Sequence, residues 1–100
     1  MSYTQRLRIT VPVELADTAA AIGRAFDPDT GGDKSFTEID GVLVCDTPCT
    51  EEFALQAQAM LTDPALLHSA VEADYATRWA DFKAPTLAEC EAFVKACSLS

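Results

Sequence analysis

Four cysteines and a single histidine are the residues of this 100-residue chain best suited to chemistry. Cys45 and Cys49 form a Cys-x3-Cys pair, and thiolates at such a spacing hold zinc if two further ligands arrive. The other possible donors are His68, Cys90 and Cys97. Cys90 and Cys97, however, fall seven apart on a helical stripe shared with leucine, valine and phenylalanine, where cysteine behaves as a small hydrophobe. Two helical turns separate them by about 10 Å, too far for a disulfide. Cys49 reads as first-turn residue of a helix, where the dipole lowers a thiol pKa. Asp46, Glu51 and Glu52 flank it and oppose the thiolate. A nucleophilic cysteine also needs a base, and His68 is the only histidine. The expectation is therefore packed thiols, with a zinc or thiol site on Cys45, Cys49 and His68 as the alternative.

The acidic stretch Asp27–Glu38 is the next candidate. Against a calcium loop, Asp27, Asp29, Asp33, Ser35 and Glu38 fall at positions 1, 3, 7, 9 and 12, with Gly32 at position 6. Gly31 removes the ligand at position 5, Lys34 opposes a cation at position 8, and the following segment reads as a strand, not an exiting helix. These departures favour a polar connection whose Asp and Gly residues make turns. The paired carboxylates Glu51–Glu52, Glu72–Asp74 and Glu89–Glu91 read as solvated helix faces, because close sequence neighbours on a helix point to different sides.

Two features suit a protein partner. Tyr75 and Trp79 stand one helical turn apart, and such residues dominate interface energetics; at that spacing they also suit a core. Arg6 and Arg8 mark the outer side of the first strand, where they either meet a partner or guard an edge against aggregation.

These side chains need elements to hold them. Arg6–Val13 alternates, with Leu7, Ile9, Val11 and Val13 opposite Arg6, Arg8 and Thr10, which predicts a half-buried strand. Leu15, Ala19, Ile22 and Phe26 make one stripe of a helix over 14–26, ended by Asp27-Pro28. Phe36–Ile39 and Val42–Cys45 flank Asp40-Gly41, which predicts a hairpin on a type I′ turn with Ile39 opposite Val42 and Phe36 opposite Cys45. Both faces of that hairpin are partly apolar, so it is expected to be central or covered on two sides.

Three helices follow. Thr47-Pro48 or Thr50 starts the first, over 51–61, with Pro48 suited to a first helical position; its stripe is Phe53, Ala57, Met60 and Leu61. Asp63-Pro64 starts the second, with Leu67, Val71, Tyr75, Trp79 and Phe82 on one face. The last opens on Thr86-x-x-Glu89, a capping box, and carries Leu87, Cys90, Val94 and Cys97 with Phe93 beside them.

The expected fold is α+β: a small antiparallel sheet of about three strands, opening β-α-β-β, followed by three helices packed on one face. The opening resembles part of a ferredoxin-like layout, without its fourth strand. Residues 1–100 read as a single domain, with no repeat or linker. Hydrophobic residues make up 49% of the chain, enough for a globular core.

Charge narrows the function classes. Sixteen acidic against seven basic residues give a net charge of −9. That argues against direct nucleic-acid binding and against anionic membranes. No apolar run reaches the length of a membrane span. Met1–Arg8 is polar, without the apolar segment of a secretion signal, so a cytoplasmic protein with reduced thiols and no cofactor is expected. The function expected is a small acidic, non-enzymatic interaction or regulatory domain that binds a protein partner or itself. A homodimer would first use the Tyr75–Trp79 helix.

Overall fold

The computed structural model describes residues 3–26, 36–78 and 84–99. Strand β1 (Gln5–Pro12) follows the alternation, with Leu7, Ile9 and Val11 buried and Arg6 and Arg8 exposed. Pro12 ends the strand. A short 3-10 turn, Val13–Leu15, leads into α1 (Ala16–Phe26), which buries Ala19, Ile22 and Phe26 as the stripe requires.

Strands β2 (Thr37–Ile39) and β3 (Val42–Cys49) pair antiparallel, with Ile39 opposite Val42. Asp40 and Gly41 join them at φ +53° and +83°. Positive φ at both central residues is the type I′ requirement, and glycine meets it at the second without steric cost. The pairing ends at Thr37 opposite Val44, so Phe36 is not part of the ladder. It is half-buried and meets Phe93 edge-on, with ring centroids 6.1 Å apart.

The hairpin is not central as a whole. The strand order is β2-β3-β1-β4, which puts β2 at the edge with all three residues exposed. Only β3 is interior, and Leu43, Val44 and Cys45 are all buried there. β3 also runs four residues further than the hairpin pattern indicates. It pairs with the whole of β1, from Pro12 opposite Val42 to Gln5 opposite Cys49. Pro48 is thus a strand residue and not a first helical one. Past Val44 β2 no longer flanks β3, so a missing N–H on that side breaks no ladder.

Thr50 caps α2 (Glu51–Thr62), its Oγ1 accepting from the Phe53 N–H at 3.1 Å. Asp63 starts α3 (Pro64–Arg78), its Oδ1 accepting from Ala65 and Leu66 N–H at 3.1 and 3.4 Å. Both halves of the capping box at α4 (Leu87–Ala96) are made: Glu89 N–H donates to Thr86 Oγ1 at 3.2 Å, and Thr86 N–H to Glu89 Oε1 at 3.0 Å. The buried stripe of α4 is Cys90 and Phe93; Leu87, expected with them, is 42% exposed. The capped first turn projects beyond the core, so the stripe starts one turn later.

A fourth strand is present. β4 (Ser98–Leu99) pairs antiparallel with β1 at Thr10 and Ile9. The sheet therefore has the full strand order of a split β-α-β fold, with three helices in the second crossover. One hydrophobic cluster joins the inner residues of β1 and β3 to Ala19, Ile22 and Phe26 of α1, Ala57 and Leu61 of α2, Leu67 and Val71 of α3, and Cys90 and Phe93 of α4. All four helices thus lie over one side of the sheet. No helix among the described residues is long and apolar enough to cross a membrane.

Candidate functional site

Register decides which residues share the other side. Directly opposed residues of an antiparallel pair point the same way. Leu7, Ile9 and Val11 face the core, so their neighbours Thr47, Cys45 and Leu43 do too. The outer face then carries Arg6, Arg8, Thr10 and Pro12 from β1, and Pro48, Asp46, Val44 and Val42 opposite them. Thr37 and Ile39 extend it across β2. Among the described residues no helix covers this face.

The face has two zones. At the hairpin end, Ile39 is 49% and Val42 40% exposed, and they stand directly opposite each other. Val44 is buried between its cross-strand neighbours Thr10 and Thr37, with Pro12 half-buried beside Val42. At the other end, Arg6 Nε donates to Asp46 Oδ1 at 2.7 Å, both side chains in contact with solvent. Arg8 stands opposite Asp46 in the register, is exposed, and makes no ion pair among the described residues. The zone thus combines two guanidinium groups with one carboxylate, in a chain whose net charge is −9. Strand alternation alone places Arg6 and Arg8 here; the apolar half could be found only once β2 was known to be an edge.

Tyr75 takes a different position from Arg6 and Arg8. Arg24 of α1 reaches across to it, Nη2 donating to Tyr75 Oη at 2.9 Å, with the guanidinium carbon 5.4 Å from the ring centroid. The ring is half-buried and packs on the core. Its hydroxyl and ring are thus engaged within the chain, at the α1–α3 contact. Trp79 and Phe82 lie outside the described residues.

The thiols point inward. Cys49 is the last residue of β3, not a first-turn helix residue, and it is buried. Cys45 and Cys49 share the inner face of one strand, four residues and about 13 Å apart by strand rise. Zinc needs its sulfurs about 2.3 Å from the ion, so this pair does not close on one metal. His68 is half-buried, with Nδ1 3.7 Å from Glu72 Oε2 on its own helix. Among the described residues no three His, Cys, Asp or Glu side chains converge to hold a metal. Burial pushes the Cys90 thiol up, reinforced by the charges of Glu89 and Glu72. Burial, with Cys45 nearby, pushes Cys97 up to about 12 against a small opposing backbone hydrogen bond. Both favour the inert protonated form.

The loop with calcium-like spacing falls outside the described residues as far as position 35. Glu38, which would close it, lies in β2 with its side chain exposed. A cleft of about 220 Å³ opens between α1, α3 and the start of α4, lined by Asp17, Thr18, Tyr75, Ala84, Pro85 and Glu89. Glu89 is already committed there to the capping box.

Comparison with known proteins found no matching family, no similar curated protein and no similar solved structure.

Proposed function

We propose that the chain is a cytoplasmic protein-binding module that docks a partner on the outer face of its sheet. The observation that carries this reading is the exposed Ile39–Val42 pair on a face that no described helix covers. Side chains of this kind gain free energy when a partner removes them from water, about 25 cal/mol per Å² of apolar surface. The arginine end gives the face direction. Arg6 and Arg8 against Asp46 favour a partner that brings acidic groups to that rim.

Two further observations support an interaction role over thiol chemistry. The Cys90 and Cys97 thiols are held protonated by their surroundings, and Cys45 and Cys49 are buried in the core. Tyr75 is engaged by Arg24, so the reading rests on the sheet rather than on the Tyr75 helix.

A photo-crosslinking residue at Val42, compared with one at Leu55, tests it. Leu55 is 61% exposed on α2, on the helical side. In cells producing the protein, position 42 is expected to give a discrete adduct that Arg8→Glu reduces about tenfold, the size of one lost charge contact. Adducts from position 55 alone, or an adduct at 42 indifferent to Arg8, would move the docking surface elsewhere.

A further inference from the structure

The outer sheet face differs from end to end. Arg6 and Arg8 stand exposed at one end, where Asp46 holds Arg6 and Arg8 makes no ion pair among the described residues. The opposite end is acidic. Beyond the exposed Ile39–Val42 pair lie Asp40, in the hairpin turn, and Glu14, in the turn that follows Pro12, and both are exposed. One face thus carries charges of opposite sign at its two ends, with an apolar stretch between. Turned end for end, such a surface is complementary to itself.

We infer that the partner on this face is a second copy of the chain, stacked sheet on sheet about a two-fold axis that crosses the strands. This rests on the outer face being the docking side, and names what docks there. An axis across the strands reverses their direction, so the arginine end of each copy lies over the hairpin end of the other. Arg8 of one copy then faces the end that holds Glu14 and Asp40 of the other, twice. An axis along the strands would stack arginine end on arginine end, and like charges across an interface cost free energy. Between the charged ends, Ile39 and Val42 of both copies leave water, with the half-buried Pro12 beside Val42.

The placement of acid on the chain favours this face for self-association. A net charge of −9 opposes the approach of two copies in general. On the helices, every exposed charged side chain described is acidic except Lys95. Contact through the helices would therefore press two acidic layers together. With the sheets face to face, both layers lie outermost, kept apart by the two sheets and the gap of about 10 Å between them. That gap alone exceeds the Debye length of about 8 Å at physiological ionic strength, so salt screens their repulsion. The face measures about 27 Å along an eight-residue strand and about 14 Å across four strands, which is small for an interface and makes the dimer a weak one.

Sedimentation equilibrium of the full chain at rising concentration is the test, and a reversible monomer–dimer equilibrium is expected. The double variant I39Q/V42T is expected to weaken it at least tenfold, and Leu55→Gln, on the helical side, to leave it unchanged. Two charge variants test the orientation. Arg8→Glu turns the basic end acidic. E14K/D40N turns the hairpin end basic, asparagine being another residue that takes positive φ. Each variant alone is expected to dimerise about tenfold more weakly. An equimolar mixture of the two is expected to recover the loss, because both pairs of facing ends are then of opposite sign. A dimer that survives both I39Q/V42T and Arg8→Glu, or a mixture without recovery, would overturn the arrangement. A chain that stays monomeric, while a photo-crosslinker at Val42 gives an adduct with a different protein, would overturn the second copy and keep the docking face. A monomeric chain without any adduct at position 42 would overturn both.

Discussion

Cys97 shows how a side chain that is chemically promising in sequence becomes inert in place. It caps the C-terminus of α4, its N–H donating to Phe93 and Val94 carbonyls at 2.9 and 3.3 Å. Its thiol is half-buried, and its pKa is raised from 9.0 to about 12. At neutral pH the thiolate is therefore a negligible fraction. The same shift has a thermodynamic consequence. The neutral, protonated form is the one the fold prefers. Below about pH 9 folded and unfolded chains both hold the proton, and the contribution to stability is complete. Between 9 and about 12 the unfolded chain sheds its proton while the folded chain keeps it, so stability falls as pH rises. Urea midpoints of the wild type and Cys97→Ala at about pH 8 and about pH 10.5 check this. The wild type is expected to lose more stability than the variant over that interval. Parallel losses would mean that Cys97 titrates alike in the two states.

At the scale of elements, helix starts are the most local structures here, and they were readable. Thr50, Asp63 and Thr86 each accept a backbone N–H within three residues of themselves. Such bonds need no tertiary partner, so spacing alone reveals them. Thr86→Ala removes one side of the capping box and leaves the Glu89 N–H without its side-chain acceptor, while the backbone N–H of residue 86 still donates to the Glu89 carboxylate. It is expected to cost about 1 kcal/mol, read as a lower urea midpoint with an unchanged slope. Thr86→Asn, which keeps a capping oxygen, is expected to cost less than half as much; equal losses would mean that the hydroxyl does not act as a cap. The strands β1 and β2 and the turn Asp40-Gly41 were legible for the same reason, since alternation and positive φ are local properties. What escaped was set by distant partners. Ser98–Leu99 is too short to show a period and becomes a strand only because β1 offers it Thr10 and Ile9. Asp46–Cys49 contains the turn-like sequence Asp-Thr-Pro, yet it is strand because the eight residues of β1 run alongside it. Cys49 was misplaced through that same error. For the site, Arg6 and Arg8 followed from alternation, but the exposure of Ile39 and Val42 depends on β2 lying at an edge, which no local pattern encodes.

At the scale of the molecule, the charges of the described residues are divided between the two sides of the sheet. Asp17, Glu51, Glu52, Glu72, Glu89 and Glu91 are all exposed on the helices, whereas Lys95 is the one exposed base among the side chains described there, Arg24 being half-buried. The outer sheet face holds Arg6 and Arg8. Part of the acidic load is locally favourable, since Glu51 and Glu52 lie in the first turn of α2 and Glu89 in that of α4, where the dipole attracts them. The rest is mutual repulsion between like charges of one layer, which salt screens over a Debye length of about 10 Å at 0.1 M. Screening should therefore relieve more repulsion than it removes attraction, because Arg6–Asp46 is an exposed pair of the kind that contributes little. Raising sodium chloride from about 10 to about 150 mM is expected to stabilise the fold by about 1 kcal/mol, a rise in Tm of about 4–8 °C for a chain of this size. Glu91→Lys, beyond the first turn of α4, is expected to raise Tm at low salt, and Glu51→Lys to raise it less because it also forfeits a dipole contact. The same salt step should weaken any partner held at Arg6 and Arg8. Self-repulsion and docking then respond to salt with opposite signs, and a calorimetric scan with and without the partner separates them. A Tm that falls with salt in the free protein would mean that attractive pairs, not the acidic helical layer, dominate its electrostatics.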